Sequence, residues 1–302
     1  MTFAPLTAVD RAQLLRVWNE AAEFDRLTPE LLAEKLDREP ARDESLSFAR
    51  LEEDAVIGWA TCVLRESADG VRGVVKMLAV APQFQGRGHG SALLAEAERR
   101  LAAAGARTVR PGESAPNYLV PGVDVRYTRC LLMLEARGYR RLGETYNLTV
   151  PLQAGDFDAS DDEQALAANS ILVRRAKEGD RPALFAWLDR HWPAWRGEVQ
   201  EALARPVPAV HLALNAQQQV VAFAAHDGNN HRTGWFGPMG TDPEYEGRGL
   251  GRVLLRRCLQ DIQRQGLPRA IVPWVGPVRF YAKHAGATIE RVFYRYEKTL
   301  AD

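Results

Sequence analysis

Apolar and polar positions follow two periods along the chain, and both periods recur in the same order in its two halves. Residues 91–104 and 253–265 carry apolar side chains at every third or fourth position, which is typical of an amphipathic helix. The β-branched segment 71–80 predicts a strand before the first helix, and 234–241 has the same place before the second. The pattern therefore predicts a mixed α/β fold in each half.

The remaining elements also correspond between the halves. A first helix is predicted over 10–23 and again over 180–191, each with an Asp near its N-cap. Pro29 favours the start of a further helix, since proline suits the first turn. Hairpins are predicted for 45–51 with 55–64 in the first half and for 210–215 with 219–226 in the second.

The strongest internal signal is a repeated glycine-rich segment. Residues 81–90 return as 242–251, and the two copies align without a gap. The spacing between the copies exceeds half of the chain, which is too long for a solenoid and indicates a duplicated domain. We therefore expect a first domain over 1–152, a polar, acidic linker over 153–170 and a second domain over 171–302.

Composition excludes several classes of protein. The chain has 302 residues, 46% of them hydrophobic, which suits two globular domains. Basic and acidic residues both number 39, so no nucleic-acid partner is expected. Three distant cysteines predict neither a disulfide framework nor a metal site. Neither a signal peptide nor an apolar run long enough to span a membrane is present, so we expect a cytoplasmic protein without a membrane partner.

Each glycine-rich segment lies where a strand turns into a helix. The first amides of a helix lack backbone partners, and the helix dipole is positive there, so a phosphate group fits this position. Neither copy has the third glycine of a dinucleotide-binding fingerprint or the G-K-[ST] of a P-loop. A nucleotide-binding oxidoreductase is therefore disfavoured.

The segment Gln85-Gly86-Arg87-Gly88-His89-Gly90 resembles the Q/R-x-x-G-x-G/A signature of the GNAT superfamily of acetyltransferases. Its second copy departs only at Glu246. The resemblance implies a duplicated GNAT fold that uses acetyl-CoA as co-substrate and no metal. It implies cofactor-binding positions at Leu78, Ala79, Val80, Gln85, Gly86, Arg87, Gly88, His89, Gly90 and Ser91 in the first half, and at Met239, Gly240, Thr241, Glu246, Gly247, Arg248, Gly249, Leu250, Gly251 and Arg252 in the second.

The resemblance also implies a catalytic tyrosine that protonates the leaving thiolate. Tyr281 matches this position apart from one extra residue before Gly286, whereas the first half has Leu134 there. The second half is therefore the better catalytic candidate. Tyr127 and Tyr118 are interpreted as packing or loop residues. Three side chains are candidates for the general base by their placement at strand ends, although each is also typical of a solvated loop or strand-end residue: His226, Asp227 and Glu290.

Two further segments have open interpretations. His191-Trp192-Pro193-Ala194-Trp195 either lines an acceptor pocket, as this region does in the family, or anchors the next helix. The insertion 111–125 either covers a pocket or bridges two elements.

The resulting hypothesis is an N-acetyltransferase acting on a primary amine of a small molecule or peptide. One alternative is a non-catalytic acyl-CoA sensor. The other is mycothiol-synthase-like acyl transfer to an aminosugar.

Overall fold

The computed structural model describes residues 2–67, 70–153 and 155–300. The chain forms two compact units. Unit 1 takes the chain up to Thr145 together with the segment that begins at Val292, and unit 2 takes Tyr146–Arg291. The unit boundaries therefore differ from the division at 152 and 171 that the sequence repeat suggests.

The elements of unit 1 come first along the chain, and its last two strands are shared with unit 2. They are β1 (Thr2–Pro5), α1 (Arg11–Ala21), α2 (Pro29–Asp37), β2 (Ser47–Glu52), β3 (Ala55–Ser67), β4 (Gly70–Val80), α3 (His89–Ala103), β5 (Thr108–Pro111), β6 (Val123–Asp124) and α4 (Thr128–Ala136). Strand β7 (Arg140–Pro151) then continues into unit 2.

Among the described residues, unit 2 repeats this order with one additional helix at its start and without a counterpart of β6. Its elements are α5 (Ser160–Ala168), β8 (Leu172–Arg175), α6 (Arg181–His191), α7 (Arg196–Leu203), β9 (Val210–Leu214), β10 (Val220–His226), β11 (Phe236–Thr241), α8 (Leu250–Arg264), β12 (Arg269–Val275) and α9 (Val278–Ala285). Strand β13 (Thr288–Thr299) begins in unit 2 and ends in unit 1.

The sheet of unit 1 runs β1-β2-β3-β4-β5 and is antiparallel except for the parallel pair β4 and β5. Helix α3 covers one face with Leu93, Leu94, Ala97 and Leu101, as its periodicity predicts. Helices α1 and α2 pack on a second core cluster that includes Trp59 and Met77. The side chains of Asp10 and Thr28 accept from backbone amides at the starts of these two helices, so both predicted helices are confirmed.

The C-terminal part of β13 completes unit 1. Lys298 and Thr299 pair with β5, and Phe293 pairs with Asp124 of β6, in both cases antiparallel. Phe293 and Tyr296 are fully buried. Side-chain bonds hold the segment further: Arg295 to Glu113 at 2.8 Å, Arg110 to Glu297 at 2.8 Å, Lys298 to Glu98 at 2.8 Å and Tyr296 to Glu135 at 2.9 Å.

Unit 2 contains the antiparallel sheet β8-β9-β10-β11. Strand β12 pairs instead with the end of β7, from Tyr146 to Pro151. Both predicted hairpins are confirmed, as β2 with β3 and as β9 with β10.

The segment interpreted from sequence as a linker contains α5. Phe157, Ala159 and Leu166 are buried in the core of unit 2, beside residues of α8. These three apolar side chains attach the otherwise acidic segment to the core of unit 2. Within the described ranges, no helix is long and apolar enough to cross a membrane.

Candidate active site

A β-bulge interrupts the pairing of β3 with β4 in unit 1, at the point where the ladder of β4 with β5 ends. Thr61 pairs with Met77 and the next residue, Cys62, pairs with Val75, so Lys76 is an extra residue in β4. A bulge of this kind bends the strand and ends regular pairing. The parallel ladder of β4 with β5 ends at Val75, whose carbonyl accepts from Gly112 N at 3.0 Å. The end of β4, from Lys76 to Val80, extends past this ladder.

A cleft of about 950 Å³ opens beside the end of β4. This volume is in the range of small-molecule and cofactor sites. Eight of the ten cofactor positions proposed for this half line it, namely Leu78, Ala79, Val80, Gln85, Gly86, Gly88, Gly90 and Ser91. The insertion after β5 also contributes to the wall, through Pro111, Gly112 and Val120.

The glycine-rich turn of unit 1 presents an open helix N-terminus to this cleft. Gly86 and Gly88 have φ of 75° and 82°, values that favour glycine. A Cβ on either glycine would meet no described atom within 4 Å, so conformation rather than space requires glycine here. Gly88 is the N-cap of α3, and no side-chain bond to the first amides is found among the described residues. The arrangement fits an anion such as a diphosphate.

Polar side chains fix this turn. Gln85 Nε2 donates to the carbonyl of Val80 at 2.9 Å, and Arg129 of α4 donates to Gln85 Oε1 at 3.3 Å. Arg87 is exposed. His89 is buried and lies edge-to-face with Phe84, at 6.1 Å between ring centroids, so its side chain belongs to the core.

The bulged Lys76 directs its ammonium group into a buried ion cluster. Lys76 Nζ donates to Glu39 Oε2 at 2.6 Å and to the carbonyl of Lys35 at 2.7 Å. Burial lowers the pKa of Lys76 to about 8, although the Glu39 carboxylate opposes this shift. Glu39 also accepts from Arg65 at 2.7 Å. The cluster anchors the bulge, because displacing Lys76 would leave the buried Glu39 without one of its two cationic partners.

An acidic side chain that sequence reasoning missed also lines the cleft. Asp25 follows α1, and its Oδ2 accepts a hydrogen bond of 2.8 Å from the hydroxyl of Tyr127. Tyr127 also lines the cleft, whereas Tyr118 is a buried residue outside its lining. No motif contains Asp25, and 102 residues separate it from Tyr127, so local pattern does not find the pair.

Unit 2 reproduces the backbone geometry of the glycine turn. Gly247 and Gly249 have φ of 75° and 87°, and Gly249 is the N-cap of α8. Strand β11 also carries an irregularity near Gly237, since Ala224 pairs with Met239 and His226 with Phe236. Gly237 has the place in the second copy that Lys76 has in the first, so the repeat extends to the bulge. An isolated parallel bridge joins Trp235, just before β11, to Ile271 of β12.

The side chains around the second turn differ from those in unit 1. A Cβ on Gly240 would lie 2.6 Å from the ring of Trp192, which stacks on Trp195 at 5.1 Å between centroids. The ring of Trp192 therefore lies against Gly240, one of the residues proposed to face the acyl carrier. Arg248 donates to the carbonyl of Glu244 at 3.0 Å, and Glu246 is exposed.

Helix α5 places a carboxylate beside this second turn. Arg252 donates to Asp162 Oδ1 at 2.6 Å, and Arg256 lies 3.5 Å from Asp162 Oδ2. Arg257 pairs with Glu163 of the same helix. Three arginines on α8 are therefore matched by acids from α5.

The remaining cofactor positions proposed for unit 2 differ in burial. Met239 packs on the unit 2 core, Thr241 is half-buried, and the side chain of Leu250 is buried.

Tyr281 is the buried residue of α9, with 7% of its surface exposed. Its ring packs edge-to-face on Phe236 and Phe280. Burial raises its pKa to about 12, above that of a free tyrosine hydroxyl, which is itself protonated at neutral pH. Leu134 is the buried residue of α4. Its carbonyl accepts from Tyr139 N, five residues on, whereas that of Tyr281 accepts from Ala287 N, six residues on.

The three base candidates named from sequence have other partners. His226 is not a solvated strand-end residue: it is buried, and its Nε2 lies 3.3 Å from Asp261 Oδ2. Asp227 accepts from the amide of Arg232 at 2.6 Å within a turn. Glu290 forms an ion pair with Arg269.

His226 belongs to a buried cluster around Asp261. Asp261 Oδ2 also lies 2.7 Å from His211 Nε2, and Arg175 donates to both of its carboxylate oxygens at 2.7 Å. Burial lowers the pKa of His211, although the Asp261 carboxylate opposes the shift. Asp261 lies more than three helical turns along α8 from Gly249, so the cluster is a structural feature of the helix–sheet interface.

Comparisons with known proteins agree with a duplicated domain. A family model described as the acetyltransferase (GNAT) family matches residues 12–114 and 171–287. A mycothiol acetyltransferase from Kineococcus radiotolerans is 32% identical over 233 residues, covering 71% of this chain and 68% of the relative.

Solved structures share the fold. A tandem GNAT protein from the clavulanic acid biosynthesis pathway has a TM-score of 0.73 at 17% identity, covering 100% of this chain and 99% of that one. A GCN5-related N-acetyltransferase from Sphaerobacter thermophilus has a TM-score of 0.69 at 17% identity, covering 96% and 92%. The glucosamine N-acetyltransferase region of a fungal β-N-acetylglucosaminidase has a TM-score of 0.83 at 18% identity. It matches 98% of this chain, which spans 38% of that longer chain.

Proposed function

Because the chain belongs to the GNAT acetyltransferase family and is an acyltransferase, we propose that it transfers an acetyl group from acetyl-CoA to a primary amine. The acceptor is an amine of a small molecule or a peptide. The observation that carries this proposal is the cleft of about 950 Å³ beside the bulged end of β4, next to the open N-terminus of α3.

The chain's own groups suit the parts of such a carrier. The amides at the start of α3 bind the diphosphate, where the helix dipole favours negative charge. The end of β4, at Leu78, Ala79 and Val80, faces the pantetheine arm in the cleft. Backbone N–H groups fixed there stabilise negative charge that develops on the thioester oxygen.

Unit 2 provides a second site in this proposal. Its turn holds the carrier through the amides at Gly247, Gly249 and Gly251, and Tyr281 supplies a proton to the leaving sulfur. The phenol suits this role because a tyrosine hydroxyl is protonated at neutral pH and therefore has a proton to donate. The stack of Trp192 and Trp195 forms the wall next to Gly240.

Calorimetry of acetyl-CoA binding to the intact chain tests the proposal and counts the sites. Gly88→Ala perturbs only the first turn, because L residues rarely adopt its φ of 82°. We expect this variant to lose binding in unit 1. Gly179→Ala is the matched control, since a Cβ there also meets no described atom within 4 Å and its φ lies outside the left-handed region. Absence of any acetyl-CoA binding to the intact wild-type chain would exclude the proposal.

A second assay tests transfer itself. Glucosamine, n-butylamine and a dipeptide with a free N-terminus serve as acceptor probes, and release of free thiol reports turnover. We expect thiol release to depend on the amine. Tight acetyl-CoA binding without amine-dependent thiol release from any probe would contradict the proposed transfer.

A further inference from the structure

Side chains of α1 hold the loop that follows this helix in place. The indole nitrogen of Trp18 donates to the carbonyl of Asp25 at 2.6 Å. The side-chain amide of Asn19 forms two hydrogen bonds with the backbone of Leu27: it donates to the carbonyl at 2.9 Å and accepts from the amide at 2.7 Å. A loop with these three bonds holds its side chains in one geometry, as a preorganised site requires.

Asp25 is the acidic residue at the centre of this loop, and its carboxylate is oriented from the other wall of the cleft. Tyr127 donates to Asp25 Oδ2 at 2.8 Å and accepts from the amide of Phe24 at 3.1 Å. Arg126 lies over the ring of Phe24, 3.7 Å from its centroid. The loop is therefore tied to the start of α4 at two successive residues.

The cleft combines this carboxylate with aromatic surface. Trp18, Asp25 and Tyr127 all line it. A carboxylate next to aromatic rings is a favourable environment for an organic cation. The same cleft has an anion-binding helix N-terminus at Gly88, so it offers complementary charge to an anionic carrier and to a cationic acceptor.

We propose that the Asp25 wall of unit 1 is the subsite for a protonated primary amine. Asp25 binds the ammonium group and accepts a proton from it, and Tyr127 positions the carboxylate. This inference rests on the proposed function, since acetyl-CoA supplies the thioester. It makes unit 1 an acetyl-transfer site although Leu134 replaces the tyrosine of the second unit.

The proton balance of this step is simple. The nitrogen attacks the thioester carbon, and the carbon–nitrogen bond forms as the carbon–sulfur bond breaks. The ammonium sheds two protons: one passes to Asp25 and on to water, and the other ends on the leaving sulfur. General-base catalysis of this kind requires a carboxylate within reach of the acceptor nitrogen.

Steady-state kinetics with glucosamine and n-butylamine test the subsite, in the Tyr281→Phe background so that unit 2 contributes little turnover. For Asp25→Asn we expect kcat to fall about 100-fold or more, because the general base is lost. The KM of the amine should rise about 10- to 100-fold, because a charge-assisted bond is lost, while the KM of acetyl-CoA stays unchanged. Asp25→Glu should restore part of the affinity. Tyr127→Phe should raise the amine KM by a smaller factor, again without changing that of acetyl-CoA.

Glu23→Gln is the matched control, because Glu23 is exposed in the same segment and lies outside the cleft lining. A merely structural role for Asp25 predicts a lower melting temperature with equal effects on both KM values. Unchanged amine kinetics in Asp25→Asn, or no amine turnover at all in the Tyr281→Phe background, would overturn the inference. If acetyl-CoA still binds to the Tyr281→Phe protein in calorimetry, such a failure concerns the Asp25 subsite, whereas loss of acetyl-CoA binding would concern the proposed function.

Discussion

Arg252 donates a hydrogen bond of 2.6 Å to Asp162, and this bond places a carboxylate of α5 beside the first turn of α8. A Cβ built on Gly249, the N-cap of α8, would lie 3.7 Å from the same guanidinium nitrogen of Arg252. An arginine on the first turn of α8, beside the second glycine turn, is thus neutralised by the chain itself. A diphosphate at this turn would meet Asp162 as a neighbouring negative charge.

We therefore predict that Asp162→Asn strengthens acetyl-CoA binding to unit 2 roughly two- to five-fold. The substitution removes a repulsive charge and frees Arg252 for a phosphate, and partly exposed charge pairs have effects of this size. Calorimetry in the Gly88→Ala background isolates the second site. Asp161→Asn is the control, because Asp161 is exposed in the same turn of α5. Equal gains in both variants would attribute the effect to net charge alone.

Tyr281→Phe should lower turnover of unit 2 about 100-fold without changing acetyl-CoA affinity. The phenol contributes a proton to the leaving sulfur, and acid catalysis of this kind is worth about 10² or more. Thiol release in the Asp25→Asn background measures the effect, since unit 1 is then impaired. Tyr146→Phe is the matched control, a half-buried tyrosine of the same unit. Unchanged turnover in Tyr281→Phe would exclude this tyrosine as the acid.

Asp261→Asn should lower the free energy of unfolding of unit 2 by about 3 kcal/mol. The change leaves the half-buried Arg175 and two buried histidines without their carboxylate, and breaking such a pair is costly. Urea unfolding at pH 7 measures the loss. Asp189→Asn removes an exposed partner of Arg196 and should cost less than about 1 kcal/mol.

The same cluster sets a direction for the pH dependence of stability. Burial lowers the pKa of His211 in the folded chain. On acidification the unfolded chain therefore takes up a proton on this residue at a higher pH than the folded chain does, and the free energy of unfolding should fall as the pH drops below about 6.5. For Asp261, burial raises the pKa, but hydrogen bonds from His211, His226 and Arg175 outweigh it and hold the pKa well below its usual range. Its contribution is present above about pH 3.8 and disappears on further acidification. A stability that rises on acidification from pH 7 to 5 would contradict this account.

Phe293→Ala should destabilise unit 1 by about 3–5 kcal/mol, the usual cost of removing a fully buried phenylalanine. Loss of acetyl-CoA binding to unit 1 should accompany the change. The control is Ile289→Ala on the same strand, where the side chain is 49% exposed and the cost should be below about 0.5 kcal/mol. Equal stability of the two variants would mean that the end of β13 is not part of the folded core of unit 1.

The sequence was most informative where structure depends on local rules. Gly86 and Gly88 were identified because a strand-to-helix turn needs positive φ, and Leu93 with Leu94 because a helix buries one face. Pairings between distant residues have no such signature. The sequence around Asp25 does not distinguish it from any other loop aspartate, because its hydrogen-bond partner Tyr127 lies 102 residues further along the chain. His226 was misjudged for the same reason, because its burial depends on Asp261 in another element.

The assignment of the last strand to unit 1 has a consequence for biosynthesis. A ribosome makes the end of β13 only after all of unit 2, so β5 and β6 have no partner at this edge while the second unit is still being added. The nascent first unit exposes an unpaired strand edge throughout that interval, which is the kind of surface that chaperones cover. Completion of the first fold is thus delayed until residues 292–299 have been translated, and expression of residues 1–145 alone would yield a unit that lacks this strand.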